Sequence, residues 1–255
     1  MAGNKGRAVL VLALLAPLLA GCGGNWGWHV VNPADPRGQA NLLFMLSGFW
    51  ATVSLSLAAM ALSVALGLGV ALMGLSRWRA LRWFNRGYVE LFRAIPILVL
   101  ILWVFYGLPV VLDIRLGVFM AAMLAIAVCD SAFEAEIFRA GIQSVEQGQR
   151  EAAMALGLSP WQRMRFVILP QAIRRVLPPM ANQFIYVVKM SSLASVIGYQ
   201  EMTRKANELV VTVFRPLEIY TILILEYLVL ILLISAAVRR LERRMGADQS
   251  LRRES

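Results

Sequence analysis

Histidine and cysteine are almost missing from this sequence, which has one His and two Cys in 255 residues. His29 stands alone in an Asn/Pro/Gly-rich stretch, where an imidazole is a surface residue, so metal catalysis and histidine acid–base chemistry find no support. Cys22 ends one apolar segment and Cys129 lies inside another, which leaves neither a disulfide framework nor a metal-binding pattern. Charge is scarce as well. Asp, Glu, Lys and Arg make up 16% of the chain, against about a quarter in a soluble domain. No G-x-x-x-x-G-K-[ST] stretch occurs, so the chain has no phosphate-cradling loop of its own. No acid–base pair or metal cluster marks a membrane-embedded enzyme, and no inverted repeat is visible to suggest an ion-coupled secondary transporter.

Apolar residues fill the space, at 59% of the chain. Residues 44–76 contain no charge, more than the roughly 20 residues a bilayer crossing needs. Further apolar runs cover 94–112, 116–129 (extended through 130–133), 177–200 and 217–238, with Lys189, Glu218 and Glu226 as interruptions. The expectation is an all-α polytopic helical bundle with about five core spans. Trp78, Trp83, Trp103 and Tyr106 fall near span ends and read as interface anchors. Ala65 and Gly69 make a small-xxx-small spacing for close helix packing.

The net charge of +10 is segregated in a way that fits a membrane and not nucleic acid. Arg77, Arg79, Arg82 and Arg86 follow the first long run. Arg139, Arg150, Arg163, Arg165, Arg174 and Arg175 lie between the third and fourth, and Arg239, Arg240, Arg243 and Arg244 follow the last. All three groups fall on one side, the cytoplasmic one by the positive-inside rule, which also makes the C-terminus cytoplasmic.

Before the first long run, Lys5 and Arg7 precede an apolar stretch over 8–20. This is the pattern of a secretory signal. Leu19-Ala20-Gly21-Cys22 also resembles a lipoprotein cleavage box, in which Cys22 becomes the lipidated terminus, and a retained extra helix is the third option. The chain divides into an N-terminal segment 1–22, an external segment 23–43, a membrane domain 44–240 and a cytoplasmic tail 241–255.

One segment is written for water contact. Residues 146–156 contain good helix formers, with Ala152, Ala153 and Leu156 on one side. Gly157 suits the left-handed position that ends a helix. Ser159 then suits an N-cap and Pro160 the first helical position. In the next helix Trp161, Met164 and Ile168 form an apolar stripe. Pro170 is expected to end it, and Pro178-Pro179 to mark entry to the fourth span. The product is a compact elbow of two short helices, within a cytoplasmic loop over 146–175.

Glu151-Ala152-Ala153, Gly157 and Leu169-Pro170 resemble the EAA loop of ABC importer permeases: EAA, three residues, Gly, nine residues, Ile, one residue, Leu-Pro. Val167 replaces the Ile and keeps an apolar contact. Phe92-Arg93-Ala94-Ile95-Pro96, Tyr106-Gly107-Leu108-Pro109 and Ala135-Glu136-Ile137-Phe138-Arg139 resemble the polar amino acid branch. So do Asn182-Gln183-Phe184, Ser191-Ser192-Leu193 and Ser195-Val196-Ile197-Gly198. Met190 departs from the branch, which often has Asp there, so no role of that aspartate carries over.

The resemblance implies a type I permease of the bacterial inner membrane, carrying a polar amino acid or, alternatively, an opine or related small amine. It implies two ATPase subunits that hold ATP and Mg, an external amino-acid-binding protein, and a second permease subunit, identical or not. It implies no cofactor in this chain. Glu151, Ala152, Ala153, Gly157, Ser159, Pro160, Leu169 and Pro170 would seat the elbow on the ATPase.

Within the membrane, ionisable residues are costly and face a cavity or a partner. Glu226 and Lys189 are the candidates, with Asn182, Ser191, Ser192 and Ser195 able to line a path or simply to bond between helices. Glu136 and Arg139 read as a local ion pair. Arg93 and Glu90 read as interface residues.

Overall fold

The computed structural model describes residues 27–244; the signal-like segment and Cys22 lie outside them, as does most of the tail. Among the described residues every regular element is helical. Asp35 caps α1 (Pro36–Leu46) by accepting from the Arg37 amide at 2.9 Å, with Pro36 at the first helical position. Ser47 and Gly48 then lead into α2 (Phe49–Gly74). α3 (Arg79–Ala94) follows, and Pro96 turns the chain into α4 (Ile97–Leu102). A π-helical turn at Trp103–Gly107 joins α4 to α5 (Leu108–Leu112).

The chain then enters α6 (Val118–Gln143) and the short α7 (Gln147–Ala155). α8 (Pro160–Gln162) runs through a π-helical stretch, Arg163–Ile168, into α9 (Leu169–Met190). A 3-10 turn at Ser191–Ile197 precedes α10 (Met202–Val213) and the final α11 (Pro216–Arg244).

Among the described residues three helices are long and apolar enough to cross a membrane: the first over Pro36–Gly74, the second Val118–Gln143 and the third Pro216–Arg240. A fourth candidate is a bent pair, Arg79–Ala94 with Ile97–Leu112, turning through 98°. The apolar run at 94–112 is therefore not one straight span. Pro96 lacks the amide a continuing helix would use, and the π turn re-aims the chain again. The run at 177–200 is also divided, because α9 stops at Met190. The third run, in contrast, extends past residue 133 to Gln143.

The prolines behave differently from the sequence expectation. Pro170 sits at the second position of α9, and Pro178 and Pro179 lie inside it. A π-helical stretch just ahead of Pro170 shifts the hydrogen-bond register where that proline offers no N–H. The elbow's second arm is thus not a short helix. It is one helical rod from Pro160 to Met190.

Among the described residues α2 and α6 make the most extensive helix pairing. Around it gather Leu55, Ala59, Ala122, Ala125 and Ile126, all essentially inaccessible, with Ile101 of α4 and Val187 of α9. A second apolar cluster joins α1, α10 and α11 through Met45, Met202, Leu209 and Ile219. Gly67 permits the α2–α6 approach: a Cβ there would lie 2.5 Å from the Glu134 Cβ and 2.9 Å from the Ser131 carbonyl oxygen. Gly69, singled out by the small-xxx-small spacing, faces open space instead.

Gly67→Ala should therefore push α2 and α6 apart and cost about 1–3 kcal/mol, the usual penalty for overpacking. Gly69→Ala should gain about 0.5–1 kcal/mol from helix propensity. Melting of the two purified variants in detergent checks the contrast.

Candidate coupling elbow and polar membrane sites

The elbow is built by end-of-helix chemistry on both arms. α7 closes with Leu158 N–H donating to Ala153 O at 3.2 Å and Gly157 N–H to Met154 O at 2.9 Å. This is a Schellman pair, and it places Gly157 at φ +73°, where a side chain is strained. α8 opens with a full capping box. The Gln162 amide donates to Ser159 Oγ at 3.3 Å, and the Ser159 amide donates to Gln162 Oε1 at 2.9 Å. Pro160 follows at the first helical position.

The elbow is also tied to the membrane helices. Arg150 donates to the Ile142 carbonyl at 2.6 Å, and Arg175 donates to the Ser144 carbonyl. Val145, Ile168 and Ala172 are buried together, with Ile142 and Met164 against them. Ala153 is buried, but Ala152 and Leu156 point outward, so the three do not share one face. Trp161 also leaves the expected stripe and is 69% exposed, while Ile168 is buried.

The outward surface combines Leu156 at 79% exposure with Trp161, Phe166, Met154 and Leu169. Glu151 is exposed beside them, accepting from Gln147 Nε2 at 2.7 Å. Pro160 and Pro170 are exposed too.

The membrane candidates differ in exposure and in their hydrogen-bond partners. Asn182 and Lys189 are exposed on the surface of the isolated chain. Ser191 is buried and donates to the Val188 carbonyl at 2.8 Å; Ser192 donates to the Lys189 carbonyl at 2.7 Å. Both hydroxyls are thus engaged by their own helix. Ser195 is buried in the 3-10 turn. Glu226 lies on α11 with a buried Oε2 that has no partner, and no ion pair joins it to Lys189 among the described residues. Glu136 is 3.7 Å from Arg139, as the spacing suggests, but its stronger partner is Arg93 of α3.

Two buried polar groups were not singled out from sequence. Asp130 accepts from Ser63 Oγ of α2 and from Gln183 Nε2 of α9, so one carboxylate ties three helices. Glu134, one turn further along α6, is fully buried with neither carboxyl oxygen partnered. The available signal was the i,i+4 spacing of Asp130 and Glu134, which puts both on one face. The second group is Glu201, which caps α10. It accepts from the Thr203 amide at 2.9 Å, the Arg204 amide at 2.7 Å and the Tyr227 hydroxyl at 2.9 Å. Among the described residues no three of His, Cys, Asp and Glu gather as metal ligands.

An all-helical chain with several apolar spans and an exposed elbow between α6 and α9 defines a class: a polytopic membrane transport component. Residues 63–247 match the family described as "Binding-protein-dependent transport system inner membrane component", and the chain belongs to that family. It is 38% identical over 223 residues to the "Glutamine transport system permease protein GlnP" of Escherichia coli strain K12, covering 86% of this chain and 97% of that one. It is also 38% identical over 205 residues to the "Probable glutamine ABC transporter permease protein GlnM" of Bacillus subtilis strain 168, covering 80% and 94%.

A solved structure titled "Crystal structure of an amino acid ABC transporter with histidines" matches with a TM-score of 0.75 at 38% identity, covering 79% of this chain and 94% of that chain. The chain is thus a permease subunit of an ABC importer in the inner membrane, a transport component that works with ATPase and permease partners.

Burial pushes the Glu201 carboxyl up to about 7, against its hydrogen-bond donors, which pull it down. A raised carboxyl stabilises the fold fully below its unfolded value, and that contribution is lost as pH rises through about 7. The wild type should therefore melt lower at pH 8 than at pH 5. Glu201→Gln should flatten this difference in a melting series across the same range.

Proposed function

We propose that this subunit imports a polar amino acid, glutamine or a close relative, as one half of a permease dimer. An external binding protein delivers the cargo, and two ATPase subunits bind ATP and Mg. The observation that carries this reading is the exposed apolar elbow at 146–175, held in shape by the Schellman closure and the capping box. The cargo reading is supported by two relatives named for glutamine. The arginine-rich side and the C-terminus face the cytoplasm, where the ATPase resides.

In this scheme Glu151, Ala152 and Gly157 seat on the ATPase, with Ala153 buried beneath them as packing of the elbow and Ser159, Pro160, Leu169 and Pro170 fixing the second arm. ATP-driven closure of the ATPase pair draws the two elbows of the dimer together. The rod from Pro160 to Met190 carries that motion toward Lys189, Ser191 and Ser192. Glu226, with an unpaired buried oxygen, is the best-supported polar group of the cargo path. Asn182, Lys189 and Ser195 are weaker members of it. Cys22 as a lipidation point remains a separate proposal about the N-terminal segment.

A Cβ at Gly157 would meet nothing within 4 Å in this chain. Asp is one of the few residues that enter the left-handed region Gly157 occupies, at about 1–2 kcal/mol, so Gly157→Asp should still fold, at a lower melting temperature, and place a charge against whatever docks there. The assembled transporter should keep ATP hydrolysis while uptake of labelled glutamine falls by about tenfold or more, the effect of roughly 1.4 kcal/mol at the contact. Uptake at wild-type levels by a well-expressed variant would refute the docking. Glu226→Leu should assemble normally but change uptake kinetics; unchanged kinetics would return Glu226 to a packing role. Competition by unlabelled amino acids and an opine against labelled glutamine tests the cargo class.

A further inference from the structure

Next to the α2–α6 pair lies a cleft that the import reading does not use. Gly74, the last residue of α2, and Gln143, the last residue of α6, both line it, and one face of α3 closes it. Its volume is about 500 Å³. Arg82, Arg86, Arg93 and Arg139 line it together with Glu90 and Glu136. Glu136 is already engaged by Arg93 and Arg139. Arg139 also donates to Gln143 Oε1 at 3.1 Å. Arg82 and Arg86 have no side-chain partner among the described residues. The same two arginines line an adjoining cleft of about 380 Å³ with Arg79 and Trp83.

The depth of this site follows from helix length. α2 and α6 each have 26 residues, which makes each about 39 Å long, against a hydrocarbon core of about 30 Å. Their ends therefore reach the level of the lipid headgroups. Trp78 and Trp83 are 73% and 70% exposed at that level, with Phe84 beside them, in the manner of interfacial aromatics. Asn85, between the two arginines on the same face of α3, also lines the cleft and donates to the Val70 carbonyl of α2 at 2.8 Å. That anchor turns Arg82 and Arg86, one turn apart, into the cleft.

A guanidinium fork matches phosphate oxygens bidentately. Two unpaired forks at headgroup depth, next to exposed aromatics, fit an anion that arrives with acyl chains. We propose that Arg82 and Arg86, assisted by Arg139, bind the phosphate of an anionic phospholipid whose chains lie along Trp83 and Phe84. The site requires only that the chain is embedded in a membrane and is independent of the cargo.

The test is native mass spectrometry of the purified permease–ATPase complex in mixed micelles containing equal phosphatidylglycerol and phosphatidylcholine. The wild type should retain phosphatidylglycerol about tenfold over phosphatidylcholine, whose choline cation offsets the same phosphate charge and is repelled by the paired arginines. R82Q/R86Q should lose that preference at an unchanged melting temperature. R82K/R86K, which keeps charge but not the fork, should fall between. R115Q, in the loop before α6, should retain the wild-type preference.

Absence of preference in the wild type would overturn the site, and so would equal loss in R115Q. Release of the lipid by millimolar inorganic phosphate would make a soluble phosphate the ligand and overturn the lipid assignment. Release by glutamine would instead give the cleft to the cargo path. A failure of glutamine uptake assays leaves these lipid measurements unaffected, so the two readings fail separately.

Discussion

The close approach of α2 and α6 is the constraint on which the rest of this subunit depends. Inside a membrane, lipid tails are as apolar as leucine, so helices associate through close packing and hydrogen bonds more than through expulsion of water. Here Gly67 and a run of alanines supply the closeness, and Asp130 supplies the polar bond by reaching both Ser63 and Gln183. α3 packs on both members of the pair, and α9 leans on α6. The arginine cleft exists because two long helices end side by side and α3 crosses their ends.

The elbow extends the same arrangement into water. It grows from the end of α6, turns through Gly157, and returns as a helix that re-enters the membrane domain. Arg150 and Arg175 pin it to carbonyls in and just beyond the last turn of α6, so it is not a loose loop. Its outer face is left apolar, while its inner face is closed by Val145, Ile168 and Ala172. A rigid knuckle with an uncovered greasy face is what a subunit needs when its energy comes from another chain.

Much of this was legible in the sequence, because the signals were local. Gly157, Ser159 and Pro160 each have one strong positional preference, and the three occur in the order a helix–turn–helix requires. Long uncharged runs and grouped arginines likewise report on membrane crossing without any knowledge of contacts. The signals that failed depend on neighbours. Pro170, Pro178 and Pro179 looked like helix ends, yet a π-helical stretch ahead of Pro170 and packing around the rod override the proline penalty there. Gly69 fitted a packing motif, but which glycine meets a neighbour depends on how α2 rotates against α6. Glu134 and Glu201 were missed because burial of a carboxyl is a property of the tertiary structure. The cleft at Arg82 and Arg86 was hidden for the same reason, since arginines after a span look alike in sequence whether or not they share a cavity.

The unequal coverage of the spans has a consequence for how this protein can change over generations. Within its most apolar window, 61% of α6 is buried inside the chain but only 11% of α11. On α6 a replacement must keep both size and shape, because alanine and glycine positions there touch other helices. On α11 most side chains meet lipid or a neighbouring subunit, where Leu, Ile, Val and Phe are near equivalents so long as apolar character is kept. Substitutions should therefore accumulate freely along the outer faces of α11 and be purged from α6, so that the two helices diverge at different speeds within one gene.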